Sequence, residues 1–120
     1  PEPGQEVESQ EALVATGGGF NAMVAAKRLG APVTYGGTLG TGLFADIAAR
    51  DLAAQGIVIA AHDRVAIDQG SCVVMVDATG ERSFISHHGA ERHVTRAHLD
   101  ALAASNFDYA LLSGYALYKA

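Results

Sequence analysis

In two stretches of its first half, the chain places apolar side chains three and four residues apart, the spacing of one face of an α-helix. The pattern predicts helices over residues 21–29 and 43–55. A glycine follows each stretch, Gly30 and Gly56, and glycine is the usual signal for a helix end because it adopts φ > 0 without steric cost. A third helical pattern begins after Thr95, a residue type suited to cap a first turn.

Short apolar runs lie between the predicted helices. Runs near residues 13–15, 33–37 and 57–61 predict strands, and the order strand, helix, strand, helix, strand is typical of an α/β layer. The run at 109–117 is apolar at almost every position, which predicts a further strand of the kind that is buried in a parallel sheet.

The middle of the chain has a different pattern. Two apolar runs flank an Asp-Ala-Thr-Gly turn, so a β-hairpin is predicted over residues 70–88. Because successive strand residues point to opposite faces, Phe84 and Ser86 share one face of this hairpin and Ile85 and His87 share the other. The hairpin is expected to be an appendage to the α/β layer.

Composition and charge narrow the class of protein. Of the 120 residues, 49% are apolar and 18% are charged, which indicates a globular chain and not a disordered one. The net charge of −5 and the lack of a basic patch argue against a nucleic acid or an anionic membrane as partner. The single cysteine, Cys72, excludes an internal disulfide, and its apolar neighbours predict a packed core residue. With no apolar run of membrane-spanning length, a soluble cytoplasmic protein is expected.

Residues 17–22, Gly-Gly-Gly-Phe-Asn-Ala, join a predicted strand to a predicted helix. Ordering three glycines is costly in backbone entropy, so such a run is typical of φ > 0 or of close approach by another group. The run fits the dinucleotide fingerprint G-x-G-x-x-A, which leaves a nicotinamide or flavin oxidoreductase as one alternative. That fingerprint needs an acidic residue about 20 residues further on, where this chain has Gly-Thr-Leu-Gly-Thr at 37–41. A P-loop is excluded because no glycine is followed by Lys and then Ser or Thr.

The glycine run belongs to a larger arrangement. Gly-Gly-Gly-Phe-Asn is followed by Leu-Gly at the end of the predicted helix, by a second glycine-rich loop, by the Thr-Gly turn and by Gly-Ala-Glu at 89–91. In order and spacing this resembles, over residues 7–118, the amino-terminal part of the ribokinase-like (PfkB-type) carbohydrate kinases. The resemblance implies class α/β, a partial ribokinase-like parallel-sheet sandwich with an appended β-hairpin lid. Residues 1–120 would be the incomplete amino-terminal part of a single kinase domain, with lid strands at about 7–16 and 70–88.

The resemblance also implies a function. These kinases transfer the γ-phosphoryl group of ATP, with Mg²⁺, to a hydroxyl of a sugar or a related small polyol. By resemblance, Gly17 and Gly18 form a floor on which no Cβ obstructs the substrate, and Asn21 binds paired hydroxyls as donor and acceptor. Phe84 and Ser86 would face the substrate from the lid, and two lids would pair in a homodimer.

The sequence leaves simpler explanations open for two of these residues. Asn21 stands where a helix N-cap is expected, and Phe84 would equally well pack the lid onto the body of the protein. Three histidines and Glu91 cluster within residues 87–93. The two adjacent histidines of a strand point to opposite faces, however, so no metal site is predicted.

The chain departs from the family pattern in several places, among them Met23, which stands where a small residue is usual. The family's Gly-x-Asp-x-Phe-Gly loop corresponds to residues 40–45, in which Gly42 replaces the acid and Ala45 the last glycine. The family's Gly-Ala-Gly-Asp element, which supplies the catalytic base and the phosphate-binding amides, does not occur in these 120 residues. No catalytic residue is therefore assigned, and ATP and Mg²⁺ are expected to bind mainly to a missing carboxy-terminal part. A non-catalytic polyol-binding or dimerisation module is the alternative.

Overall fold

Helices and strands alternate along the first half of the chain, and a hairpin and a third helix follow. The computed structural model describes residues 3–60 and 63–117. The predicted α/β class is confirmed, as are the three helices and the hairpin. In chain order the elements are α1 (Gly19–Arg28), β1 (Thr34–Tyr35), α2 (Leu43–Ala54), β2 (Val58–Ile59), β3 (Ser71–Val76), β4 (Arg82–His87) and α3 (Arg96–Ala103), with short 3₁₀ helices at Ala90–Arg92 and Gly114–Leu117.

The first two helices end at the glycines that the sequence predicts. At the end of α1, the N–H of Gly30 donates to the carbonyl of Lys27 at 3.0 Å, and the N–H of Ala31 donates to the carbonyl of Ala26 at 3.1 Å. The same pair of hydrogen bonds closes α2 at Gly56. These bonds satisfy carbonyls that would otherwise lack a partner, and they turn the chain toward the strand that follows.

The parallel sheet is small, and α2 is the crossover between its strands. β1 and β2 pair with Thr34 opposite Val58 and Tyr35 opposite Ile59. The core lies against α2 and the segments that flank it, and the end of the hairpin contributes one residue. Among the described residues, the buried apolar side chains are those of Leu39, Ala45, Leu52, Ile57 and Ala90.

β3 and β4 form the predicted antiparallel hairpin, in which Cys72 lies opposite Ser86. In its turn the carboxylate of Asp77 accepts hydrogen bonds from the Thr79 N–H at 2.8 Å and from the Thr79 hydroxyl at 2.6 Å. An aspartate that bonds the backbone two residues further on fixes a tight turn. The turn therefore sets the register that places Phe84 and Ser86 on one face.

Two predicted strands are not formed. Residues 7–16 adopt neither helix nor strand, and the run 109–117 ends in the 3₁₀ helix Gly114–Leu117. Tyr109 is 94% exposed and Leu111 is 83% exposed, so this run is not buried as its composition predicts. A buried strand needs a neighbour with free backbone groups and cover on both faces. The two-residue strands of the parallel sheet provide little of either.

The prediction that Cys72 packs in a core is also wrong, because this residue is exposed on β3. The hydroxyl of Ser86 donates a hydrogen bond to its sulfur across the hairpin at 3.3 Å. On the other face of the hairpin, Val73 and Ile85 are more than half exposed. In the part of the chain that the structure describes, an apolar strand sequence therefore does not imply burial.

α3 begins at the predicted cap and is tied to the parallel sheet. The hydroxyl of Thr95 accepts a hydrogen bond from the N–H of His98 at 3.2 Å, as an N-cap does. The Nε2 atom of His98 lies 2.8 Å from the carbonyl oxygen of Gly36, just after β1. None of the helices in the described ranges is long and apolar enough to cross a membrane.

Candidate functional site

The glycine run forms an open turn at the start of α1. Gly18 has φ 60° and ψ −128°, the conformation of the first central residue of a type II′ turn, which is dominated by glycine. The N–H of Phe20 closes the turn by donating to the carbonyl of Gly17 at 3.3 Å. A Cβ built on Gly17, Gly18 or Gly19 would meet no described atom within 4 Å. The backbone conformation therefore explains why residue 18 is a glycine. Contacts with the described atoms do not require glycine at any of the three positions.

Asn21 is the third residue of α1 and not its cap. The N-cap is Gly18, and no side chain caps the helix. Asn21 is exposed beside the glycine turn, and within residues 3–60 and 63–117 its side chain has no hydrogen-bond partner. The helix-cap explanation of Asn21 is therefore wrong, which leaves its amide available to a ligand.

The glycine turn is fastened to α2 at the residue before it. The hydroxyl of Thr16 donates to the carboxylate of Asp51 at 2.6 Å. This hydrogen bond, and after it the contact with Arg50, hold the pKa of Asp51 below its ordinary value, so the carboxylate is charged and accepting at neutral pH. The open face of the turn is thereby fixed relative to a helix of the core.

Phe84 and Ser86 lie on one face of β4, as the alternation predicts, together with Arg82. The guanidinium carbon of Arg82 lies 5.9 Å from the centre of the Phe84 ring, a cation–π distance. The Phe84 side chain is nevertheless 59% exposed. In the described residues it therefore does not pack the hairpin onto the body of the protein.

A cavity of about 350 Å³ opens at the end of β4, with Ser86, His88, Arg92 and Tyr115 around it. The guanidinium of Arg92 lies 3.0 Å from Nε2 of His88, which holds both side chains at the cavity wall. Each lining side chain can donate a hydrogen bond and none is acidic, but most of the lining surface is apolar.

Of these lining residues, the sequence pattern indicates only Ser86 as a site residue. Arg92 and Tyr115 are 23 residues apart along the chain and carry no motif of their own. The one available signal was a basic residue directly after Gly-Ala-Glu, where the chain leaves the hairpin. His88 belongs to the histidine cluster at residues 87–93, and its contacts with Arg92 and Glu91 appear only in the fold.

Glu91 fastens the two ends of the hairpin to each other. Its carboxylate accepts from the N–H of Gly70 at 2.8 Å, just before β3, and from the N–H of Gly89 at 2.9 Å, just after β4. Nδ1 of His88 lies 3.6 Å away. Partial burial acts to raise the pKa of Glu91. The N–H groups of Gly89, Glu91 itself and Gly70, with His88, outweigh burial and hold the pKa below 4.5.

We expect Glu91→Gln to lower the free energy of unfolding at neutral pH. We also expect the variant to lose less stability than the wild type as the pH falls into the acid range. Because the folded-state pKa of Glu91 is lowered, its contribution to stability is present above pH 4.5 and is lost as the pH falls through the folded-state value. The difference in the free energy of unfolding between wild type and variant should therefore shrink below pH 4.5. Urea unfolding at about pH 7 and at about pH 3.5 measures it.

Glu81→Gln is the matched control, because Glu81 lies at the opposite end of the hairpin and its carboxylate bonds nothing in the described ranges. In Glu81→Gln the free energy of unfolding should depend on pH as it does in the wild type. If Glu91→Gln and Glu81→Gln gave the same profile, the bond from Glu91 to the hairpin ends would not contribute to stability.

The structure brings the predicted site residues together as two groups. Gly17, Gly18 and Asn21 surround one open turn, and Phe84 and Ser86 share one face of the hairpin. No hydrogen bond or ion pair among the described residues joins the first group to the second. Whether both contact one substrate stays a prediction.

Comparison with known proteins gives two matches that agree. The sequence model described as "pfkB family carbohydrate kinase" matches residues 2–120. The protein named "Uncharacterized sugar kinase YegV" from Escherichia coli (strain K12) is 33% identical over 118 residues. That alignment covers 98% of this chain but only 36% of the relative, so the chain spans about a third of the relative's length. The family resemblance predicted from the glycine motifs is confirmed: this chain belongs to the pfkB family of carbohydrate kinases.

Proposed function

We propose that the protein to which this chain belongs transfers the γ-phosphoryl group of ATP to a hydroxyl of a sugar or a related small polyol. In this proposal residues 1–120 are an amino-terminal part of one kinase domain. They supply the floor on which the substrate lies and the hairpin lid that covers it, and the catalytic loop lies elsewhere in the protein. Membership of the pfkB family supports the reaction class.

The observation that carries the proposal is the open glycine turn at the start of α1. Nothing described lies within 4 Å of a Cβ on any of its three glycines, and among the described residues the Asn21 side chain has no hydrogen-bond partner. A backbone without side chains lets a sugar ring approach closely. An amide with one donor and one acceptor side satisfies adjacent hydroxyls.

The hairpin suits the role of a lid. Both of its strands are exposed, while its ends are held by Glu91, so it is anchored at the base and free along its length. Phe84 would provide an apolar surface against the sugar, and Ser86 a hydroxyl at the edge of the cavity. A lid that closes over the substrate excludes water, which would otherwise accept the phosphoryl group.

The proposal places ATP and Mg²⁺ mainly in other parts of the protein, because the Gly-Ala-Gly-Asp element of the family does not occur in these 120 residues. Among the described residues, no group of three or more His, Cys, Asp or Glu side chains is placed to hold a metal ion. What this chain contributes is to bind the substrate, orient its hydroxyl and exclude water.

The proposal is tested by ADP release from the full-length protein with a panel of neutral sugars, sugar acids and nucleosides. We expect ADP release that depends on one class of polyol. Binding of a polyol without ADP release would instead support a non-catalytic polyol-binding module. No response to any polyol would contradict the proposed function.

We expect Asn21→Ala to raise KM for the polyol by on the order of tenfold, the equivalent of about 1.4 kcal/mol of binding free energy. KM for ATP should hardly change, because the residue is proposed to contact only the polyol. Initial rates with each substrate varied in turn measure both constants. Equal effects on the two constants would remove Asn21 from the substrate site. Asn106→Ala, at an exposed loop position, is the control and should change neither.

We also propose that the hairpin pairs two copies of the protein and that the protein is cytoplasmic. Val73 and Ile85 lie opposite each other on the hairpin face away from Phe84, and both are more than half exposed. Two exposed apolar side chains that lie together are typical of a protein–protein contact, so they would fit a contact between the lids of two copies. A single cysteine is typical of a protein in a reducing compartment, which supports the cytoplasmic location. Sedimentation of the wild type and of Ile85→Lys tests the dimer, which the charge should dissociate.

A further inference from the structure

The arginine at the end of the hairpin is oriented by a histidine and not by an acid. Arg92 is the last residue of the 3₁₀ helix Ala90–Arg92, and its guanidinium lies 3.0 Å from Nε2 of His88. Because a guanidinium can only donate, Nε2 accepts, which assigns the ring proton of His88 to Nδ1, on the side of Glu91. An imidazole that accepts in this way holds the guanidinium in place without cancelling its charge.

The neighbouring acid does not pair with Arg92. The two oxygens of Glu91 instead accept from the N–H of Gly70 at 2.8 Å and from the N–H of Gly89 at 2.9 Å. In the part of the chain that the structure describes, no ion pair involves Arg92. A guanidinium has five N–H donors, and its planar shape matches the paired oxygens of a carboxylate or a phosphate. Arg92 therefore has donors left for the anionic group of a ligand.

The cavity at the end of β4 places this guanidinium beside the proposed substrate face of the hairpin. Arg92 and Ser86 both line the cavity, and Ser86 also lies on the face proposed to meet the polyol. The volume of about 350 Å³ is near the lower end of the range for small-ligand pockets, roughly 300–1,000 Å³. The mostly apolar lining suits the C–H groups of a carbon chain, and the guanidinium suits a negative charge at one end of that chain.

We propose that the polyol substrate carries an anionic group, a carboxylate or a phosphate, that Arg92 binds this group, and that His88 is the positioning residue for Arg92. As a statement about the substrate, this rests on the proposed kinase reaction. Arg92 would distinguish substrates in two ways, by bonding the anionic group and by rejecting neutral polyols. A neutral polyol under a closed lid would leave the guanidinium desolvated without a charged partner, which is costly.

Matched substrates test the inference in the full-length protein. Each sugar acid is compared with the neutral sugar of the same configuration and with a phosphate ester of that sugar, and ADP release gives kcat/KM for each. We expect one anionic form to be preferred over its neutral counterpart by about tenfold to a hundredfold, the range for a hydrogen bond to a charged group. The preferred form shows whether the group is a carboxylate or a phosphate. Preference for the neutral sugar would overturn the inference.

Substitutions assign the preference to Arg92. Arg92→Gln should lower kcat/KM for the anionic polyol by the same factor and leave that for the neutral sugar nearly unchanged. Arg92→Lys keeps the charge but not the planar fork, so it should give an intermediate value. His88→Phe removes the acceptor that orients Arg92 and should lower kcat/KM for the anionic polyol alone, by less than Arg92→Gln does. Equal losses for both polyols in Arg92→Gln would overturn the assignment.

Arg28→Gln is the matched control for net charge. Arg28 is an exposed residue in the last turn of α1, at the opposite end of that helix from the glycine turn. Its substitution removes the same charge as Arg92→Gln and should change kcat/KM for neither polyol. A loss for the anionic polyol equal to that in Arg92→Gln would mean that net charge, and not a contact with Arg92, causes the preference.

Calorimetric titration without ATP separates this inference from the proposed function. The anionic polyol should bind the wild type, bind Arg92→Gln about tenfold to a hundredfold more weakly, and lose affinity as salt is added. If it binds in this way but no polyol supports ADP release, the anion site stands and the kinase reaction is contradicted. If only neutral polyols bind and support ADP release, the kinase reaction stands and the anion site is contradicted. If no polyol binds, both are contradicted.

Discussion

Gly40→Ala should be among the most destabilising single substitutions in the chain, with a loss on the order of 3 kcal/mol or more in the free energy of unfolding. A Cβ at this position would overlap the carbonyl oxygen of Ile67 and lie 3.0 Å from the Cβ of Ala90. The oxygen cannot move aside cheaply, because it accepts the N–H of Thr41 at 2.9 Å. Urea unfolding of the folded protein measures the loss.

Gly19→Ala is the matched control. Gly19 is the first residue of α1, its φ is not positive, and a Cβ there would meet nothing within 4 Å. Alanine at a compatible position restricts the unfolded chain, so the variant should be as stable as the wild type or more stable by about 0.4–1 kcal/mol. Wild-type stability of Gly40→Ala would mean that the second glycine loop and the hairpin base are not packed as described.

The features that the sequence predicts correctly are those encoded by neighbouring residues. The period of three and four residues identifies α1 and α2 because a helix bonds residues four apart, and Gly30 and Gly56 end them through their own backbone freedom. The hairpin is predictable for the same reason, because its turn and its alternation lie within one continuous stretch. The cap at Thr95 is likewise a local bond.

The features that the sequence misses depend on partners far apart along the chain. The carboxylate of Glu91 bonds Gly70, 21 residues earlier, and that of Asp68 bonds the start of α2, 23 and 24 residues earlier. Acidic residues are common enough that neither stands out in the sequence. The strand predicted at 109–117 fails for a related reason: apolar composition makes burial favourable, but it does not supply the neighbour that burial needs.

The candidate site also contains features that neighbouring residues encode and features that depend on residues far apart along the chain. The positive φ of Gly18 is what a run of glycines before a helix predicts, although the strand predicted before it does not form. The sequence leaves open whether Asn21 caps the helix, and the structure shows it exposed on the first turn of α1. The cavity at the end of β4 was not predictable, because Arg92 and Tyr115 reach it from segments without a recognisable motif.

Gly17→Ala should separate substrate binding from stability more cleanly than any other change in the chain. Gly17 has no positive φ, and a Cβ on it would meet no described atom within 4 Å. The folded protein therefore has no steric reason to require glycine there, and the melting temperature should stay within about 1 °C of wild type. A polyol lying on the glycine turn would meet the new methyl group, so kcat/KM for the polyol should fall on the order of tenfold or more, the equivalent of at least about 1.4 kcal/mol.

The comparison with Gly19→Ala makes this result interpretable. Both variants add one methyl group to the same turn, and neither meets a described atom, but only Gly17 is proposed to lie under the substrate. If Gly17→Ala alone impairs use of the polyol while KM for ATP is unchanged, the glycine is there for the substrate. If both variants keep full activity, no substrate lies close to this backbone, and the floor must be sought elsewhere. The cavity of Ser86, His88, Arg92 and Tyr115 would then be the better starting point, because its lining combines an apolar surface with side chains that can donate hydrogen bonds.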